Sequence, residues 1–359
     1  MMHSIFWRLK MHWRIVTGIT LVLVGLLVYL VVSQKTPFFP KPKAPFHFSP
    51  YLDLNLAVEG QMPLANTFFS ANTKAIIQWP TTPPLNTLRT LTLAFASGEC
   101  GKEHWGGLDA NKLAQANLPA LQQADVNYMI STGGSDAIFT CSSEAGMAAF
   151  INRYQSSHLL GFDFNIEAKQ TPELIRQLVH QVGIAMRQHP ELRFSFTLAA
   201  TAANGGNSLN QTGQWVMQAI EAEGLQNHYV NLMVMNYGQA SSGACVVRAD
   251  RCDMAASAVR AVNNLHRKYR LPLSRIEVTP MLGINDVTSN VFTLEDARQL
   301  ASFARSQGLG GLHYWSLNRD TPCVQTTATV SANCHGLGQT AKLAFTDILA
   351  TSVAVNTPP

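Results

Sequence analysis

Leu159-Leu160-Gly161-Phe162-Asp163-Phe164-Asn165-Ile166-Glu167 decides how this chain is read. Asp163, Asn165 and Glu167 stand at i, i+2 and i+4, and Phe162, Phe164 and Ile166 take the alternate places. Successive side chains of a β-strand point to opposite faces, so the polar three share one face and the apolar three the other. In the wall of a closed barrel the polar face is the interior one, and the carboxyl ends of the strands carry the active site. Burial there raises the cost of ionising a carboxyl group, which makes a protonated Glu167 the candidate catalytic acid near neutral pH. The alternative, a polar layer that only plugs the barrel, is costly without hydrogen-bond partners.

Outward from this strand, short β-rich apolar runs alternate with longer amphipathic stretches. The runs cover residues 51–56, 88–96, 126–132, 159–167, 193–199, 229–237, 275–282 and 311–317. Helices are expected between them, for instance over 171–188, opened by Thr171-Pro172-Glu173, and over 294–307. An α/β fold, a (β/α)8 TIM barrel over residues 51–350 with a tail at 351–359, is the expectation. A doubly wound open sheet would also alternate, but no GxGxxG or GxxxxGK[ST] phosphate-binding turn occurs.

The N-terminal part has a different composition. Residues 15–33 are uncharged and predominantly apolar over the length of a bilayer's hydrocarbon core. They read as a transmembrane helix behind a short cytoplasmic N-terminus at 1–14, with a cleaved signal peptide and a secreted product as the alternative. Residues 34–50 follow as a spacer stiffened by Pro37, Pro40, Pro42, Pro45 and Pro50. Six of the 26 cations precede residue 44, which leaves 20 against 22 acids in the remainder. A chain this close to neutral, with no basic stripe, is not a nucleic-acid binder.

The cysteines Cys100, Cys141, Cys245, Cys252, Cys323 and Cys334 all follow the apolar stretch. With the N-terminus inside, the barrel is extracytoplasmic, in the periplasm or on the cell surface, where disulfides persist. Cys245 with Cys252 and Cys323 with Cys334 are the near pairs, which leaves Cys100 with Cys141; unpaired buried thiols are the alternative. No CxxC occurs, and His104, His180, His189 and His313 have no ligand spacing, so no metal and no cofactor is expected. One glycosylation acceptor, Asn210-Gln211-Thr212, is present.

The chain resembles the glycoside hydrolase family 18 chitinases, in particular compact bacterial ones without an inserted α+β domain. Ser131-Thr132-Gly133-Gly134 resembles the family's SxGG, and residues 160–167 align with DGxDxDxE. Met233-Val234-Met235-Asn236-Tyr237 resembles MxMDY, and Val278-Thr279-Pro280-Met281-Leu282-Gly283 and Tyr314-Trp315-Ser316-Leu317-Asn318-Arg319-Asp320 resemble the seventh- and eighth-strand signatures. The five occur in the family's order.

The resemblance implies retaining, substrate-assisted hydrolysis of β-1,4-linked N-acetylglucosamine polymers, outside the two-carboxylate schemes. The acetamido group attacks its own anomeric carbon while Glu167 protonates the leaving oxygen. Asp163 is the implied inner carboxylate, held by Ser131, and Trp315 the floor under the reacting sugar. Met235, Asn236, Tyr237 and Trp105 are the implied further sugar contacts. Leu160, Asn165 and Asn236 depart from the pattern by replacing Asp. At Asn165 the change removes a charge opposite the developing cation, a loss of about two to three orders of magnitude in rate. A monomeric hydrolase acting on an N-acetylglucosamine glycan is the expectation. The alternatives are a glycan-binding protein without turnover and a hydrolase of another aminosugar glycan such as peptidoglycan.

Overall fold

In the computed structural model, which describes residues 46–58, 88–135, 137–167, 170–325 and 329–354, the apolar runs become one curled, mostly parallel sheet. Its strands are β1, in two pieces, His47–Phe48 and Tyr51–Asp53; β2, Thr90–Ala96; β3, Asn127–Gly133; β4, Leu159–Asn165; β5, Arg193–Ala199; β6, Tyr229–Met233; β7, Ile276–Thr279; and β8, Gly311–Leu312. The pieces of β1 lie at opposite ends of the strand order, the first on β8 and the second on β2. The amide of Tyr51 donates to the Tyr314 carbonyl at 3.1 Å and that of Thr92 to the Pro50 carbonyl at 2.9 Å, so β1 joins the two ends of the sheet in a TIM-barrel-like curl.

The first strand therefore begins at His47, inside the stretch read from its prolines as a spacer ending at Pro50. Pro50 sits at the break between the two pieces and contributes only its carbonyl, so its missing N–H costs the ladder nothing. Several strands end earlier than their apolar runs, yet the ladder continues past them. Ile166 donates to Thr197 at 3.0 Å and Trp315 to Pro280 at 2.8 Å.

The longer helices among the described residues are α1, Ala110–Gln123; α2, Glu144–Tyr154; α3, Pro172–Gln188; α4, Gln211–Ala222; α5, Met254–Tyr269; α6, Leu294–Ser306; and α7, Ala344–Ala354. Two starts show why the sequence places them there. Thr171 caps α3 by accepting from the Leu174 amide, with Pro172 in the first turn, where an N–H is not needed. Thr293 and Asp296 form a capping box on α6.

The alternation in the opening stretch partitions as expected. Phe162, Phe164 and Ile166 are buried on the outer face, beneath the helices. Phe162 packs on Phe150 of α2 at 4.9 Å and on Phe194 at 6.2 Å, and Phe164 on Phe196 at 5.8 Å. Each such ring contributes roughly 1.5–3 kcal/mol of burial.

The three expected cysteine pairs are disulfides: Cys100–Cys141, Cys245–Cys252 and Cys323–Cys334. They tie the loops that follow β2 and β3, β6, and β8, all at the carboxyl ends of the strands. Residues 1–45, with the expected membrane segment at 15–33, lie outside the described residues. Among the described residues no helix is long and apolar enough to cross a membrane.

Candidate active site

The carboxyl ends of the strands open into a cleft of about 660 Å³. Its floor is aromatic. Trp315 stacks on Phe95 with ring centres 5.3 Å apart and planes 18° apart, and Tyr51 leans on both at 6.0 and 6.4 Å. Met233, Met235 and Met281 add soft apolar wall, a lining suited to the face of a pyranose ring.

Asn165 and Glu167 of the deciding stretch line this cleft, and Asp163 lies one step deeper. The depth has chemical consequences. Asp163, 2% exposed, accepts from Ser131 Oγ at 2.6 Å, Tyr51 Oη at 2.8 Å and Thr197 Oγ1 at 2.6 Å. Burial pushes its carboxyl up to about 6, although the three hydroxyls pull the other way. Asn231 Nδ2 donates to both Tyr51 Oη and Thr197 Oγ1, and Asn231 Oδ1 accepts from Thr279, so the layer under the cleft is one network across six strands. Burial, then the Asp163 charge, holds the Tyr51 phenol far above its usual value, so it stays a donor.

Above this layer, Asn165 donates from Nδ2 to Glu167 Oε1 at 3.1 Å. Asn165 is 4% exposed, and its Oδ1 has no hydrogen-bond partner among the described residues. A buried acceptor left open next to a carboxylate is suited to a ligand N–H. Glu167 itself is half-buried at the mouth, just past the end of β4.

Gly133 explains part of the SxGG spacing. Its φ is +83°, and a Cβ there would stand 2.2 Å from the Asn165 carbonyl oxygen, so β3 and β4 can pair this closely only at glycine. A Cβ on Gly134, φ +94°, would meet the Phe95 ring at 2.9 Å.

Of the other expected sugar contacts, Trp315, Met235 and Asn236 line the cleft, and Ser131 lies beneath it, fully buried against Asp163. Trp105 does not reach it. Its ring is fully buried, donating from Nε1 to Tyr154 Oη at 2.8 Å, because the loop after β2 folds back under α1 and α2. Tyr237 is 8% exposed, packed in the core and not part of the cleft wall; its hydroxyl has no partner among the described residues, and burial raises its pKa.

Several site residues escaped the sequence reading: Tyr51, Phe95, Thr197, Asn231 and Asp286. Period-two alternation along the other strands would have found Thr197 and Asn231, which share the inward face with Ser195 and Met233. Asp286 sits in a loop, where no periodicity operates.

A second buried cluster lies at the other end of the curled sheet. Glu277 pairs with Arg193, Nε at 2.9 Å, accepts from Ser195 Oγ at 2.7 Å and lies 3.7 Å from His313 Nε2. Burial alone would raise its pKa, but Arg193 and the two histidines His313 and His47 hold it well below the carboxylate range. Among the described residues no group of three or more His, Cys, Asp or Glu side chains is arranged so that it could hold a metal ion.

No family model matches the chain. Over 263 residues it is 26% identical to "Probable bifunctional chitinase/lysozyme" of Escherichia coli (strain K12), covering 67% of this chain and 28% of that one. Over 260 residues it is 25% identical to "Endochitinase 11" of Metarhizium anisopliae, covering 66% of this chain and 48% of that one. The chain thus spans less than half the length of either curated relative. The catalytic domain of a hyperthermophilic chitinase from Pyrococcus furiosus superposes with TM-score 0.65 at 25% identity, over 88% of this chain and 99% of that domain. Sequence similarity, the curled parallel sheet and the order of the strand-end motifs make this chain chitinase-like, similar to the glycoside hydrolase family 18 chitinases.

Proposed function

We propose that the protein is a retaining glycosidase that cleaves β-1,4-linked N-acetylglucosamine polymers by substrate-assisted catalysis, on a closed (β/α)8 barrel. The observation that carries this reading is the vertical stack at the end of β4. Glu167 stands at the cleft mouth, Asn165 donates to it, and Asp163 lies beneath, held by Ser131. In this reading Glu167 protonates the leaving oxygen and later takes a proton from the incoming water. The open Oδ1 of Asn165 accepts the acetamide N–H, which orients the acetamide oxygen toward the anomeric carbon. Trp315 supports the reacting ring from below. Asp163 adds negative potential under the developing cation in its ionised form, while Asn165 adds none, so turnover is slow for this chemistry.

The test is release from a chromogenic chito-oligosaccharide by the wild type and by Glu167→Gln. Turnover that the substitution abolishes supports the reading. No release by the wild type over many hours overturns it.

The neutral Asn165 favours one alternative, a protein that binds chito-oligosaccharides without cutting them. It separates from the first by binding without product in the same assay. Hydrolysis of another aminosugar glycan, such as peptidoglycan, keeps Glu167 in its role and is separated by a panel of labelled glycans.

We further propose that residues 15–33 anchor a monomeric, extracytoplasmic barrel to a membrane, an arrangement supported by three disulfides in the described residues. Release of the protein into the soluble fraction by carbonate washing would contradict it.

A further inference from the structure

The loop after β7 places a carboxylate in the cleft wall and fixes it there. Asp286 lines the cleft and is exposed, yet its Oδ2 accepts from Asn236 Nδ2 at 2.7 Å. Asn236 is itself held from three sides. Its backbone adopts φ +52°, its Oδ1 accepts from the Val287 amide at 3.1 Å, and its amide donates to Asn285 Oδ1 at 3.2 Å. Asn285 donates in turn to the carbonyls of Met281 and Gly283, and Asn290 to that of Gly238. The loops after β6 and β7 are thus laced by asparagine side chains, and the carboxylate of Asp286 is presented with part of its ordering cost already met.

The charge around it is predominantly negative. Asp53, Glu167 and Asp286 line the cleft. The one Lys or Arg in the described lining, Arg319, is 1% exposed and directs its guanidinium at the carbonyls of Leu282, Ile284 and Ser331. Its Nη1 and Nη2 donors face protein carbonyls, its Nε has no partner among the described residues, and its charge offsets only part of the three carboxylates, Asp286 foremost. The buried, unpartnered Oδ1 of Asn165 adds an acceptor where the ligand has to supply N–H. A cleft of fixed acceptors and net negative charge fits a sugar chain that carries cationic ammonium groups as well as acetamides.

We infer that Asp286 is a specificity-determining residue that selects partly deacetylated N-acetylglucosamine polymers, by pairing with the ammonium of a glucosamine unit adjacent to the reacting sugar. This rests on the substrate class proposed above. Substrate-assisted attack requires an acetamide on the reacting sugar itself, so the free amine belongs to a neighbouring unit, and the preferred substrate is mixed rather than fully deacetylated. An exposed, prepositioned ion pair of this kind gives about a fivefold preference, which salt reduces.

The experiment measures binding of two oligosaccharides of equal length, one fully acetylated and one partly deacetylated, by calorimetry at mildly acidic pH. It uses the full chain carrying Glu167→Gln, so that nothing is cut. The expected result is a Kd ratio of about five in favour of the partly deacetylated chain, falling to about one with Asp286→Asn added and with raised salt, and retained with Asp286→Glu. A ratio unaffected by Asp286→Asn overturns the inference while leaving the glycosidase reading in place; a merely structural role for Asp286 would weaken both ligands together and leave the ratio unchanged. If neither oligosaccharide binds and the wild type cleaves neither, the glycosidase reading and this inference fall together.

Discussion

Asn165 Nδ2 lies 3.1 Å from Glu167 Oε1 and donates a hydrogen bond to it, so the group beside the Glu167 carboxyl is a neutral donor and not a second carboxylate. The same amide cannot exchange a proton with Glu167 or carry charge toward a developing cation.

Asn165→Asp is therefore expected to raise kcat on a chromogenic chito-oligosaccharide by about two orders of magnitude, from the charge restored opposite the cation. Steady-state rates for wild type and variant decide it. An unchanged or lower rate would mean that the missing charge is supplied elsewhere in the folded site, with Asp286 the first place to look.

Asp163 gives a prediction on stability. Its folded pKa, about 6, is raised above the unfolded value by burial. The stability this group contributes is therefore full below the unfolded pKa near 4 and is lost as pH rises through about 6. Asp163→Asn removes that dependence. The stability of the variant relative to wild type should improve between pH 4 and pH 7 by on the order of 2 kcal/mol, read from unfolding midpoints at the two pH values. Parallel changes in both proteins would show that Asp163 titrates as it does in the unfolded chain.

The two tryptophans separate by location. Trp315→Ala removes the cleft floor and is expected to weaken chito-oligosaccharide binding by roughly 2 kcal/mol, about thirtyfold in Kd. Trp105→Phe keeps most of the buried volume but loses the bond to Tyr154, and should lower stability by about 1 kcal/mol without changing that Kd. Titration calorimetry and thermal melts of both variants make the comparison. A large binding defect in Trp105→Phe would place that residue closer to the ligand than the fold does.

Gly133 and Gly107 share a positive φ, +83° and +87°, but only Gly133 is crowded. Gly107→Ala should cost about 1 kcal/mol, the strain of a left-handed alanine alone. Gly133→Ala adds a Cβ 2.2 Å from the Asn165 carbonyl and must displace the end of β4, so stability should fall by several kcal/mol. Turnover should fall with it, because Asn165 and Glu167 ride on the displaced strand. Equal effects at the two positions would remove the packing explanation for the glycine.

The sequence by itself determined the strand that matters, and the reason is local. Period-two alternation is a property of the backbone, so Asp163, Asn165 and Glu167 could be assigned to one face and Phe162, Phe164 and Ile166 to the other before any neighbour was known. The cap at Thr171 is equally local, and each of the eight apolar runs contains a strand, although the first strand starts earlier than its run and several end sooner. Cysteine pairing was legible because two pairs are close in sequence and one pair remained.

What the tertiary structure decided is everything that depends on closing the sheet. The ring of donors around Asp163 comes from β1, β3 and β5, with sequence separations of 112, 32 and 34 residues, and no periodicity links them. The start of β1 at His47 was hidden because prolines signal an extended chain, and an extended chain becomes a strand once β8 and β2 offer partners. Trp105 and Asp286 changed places in importance for the same reason. Whether a loop side chain turns into the cleft or under a helix depends on what the loop packs against. At Trp105 a phenol from α2 holds the indole inward, and at Asp286 an asparagine from the end of β6 holds the carboxylate in the cleft wall.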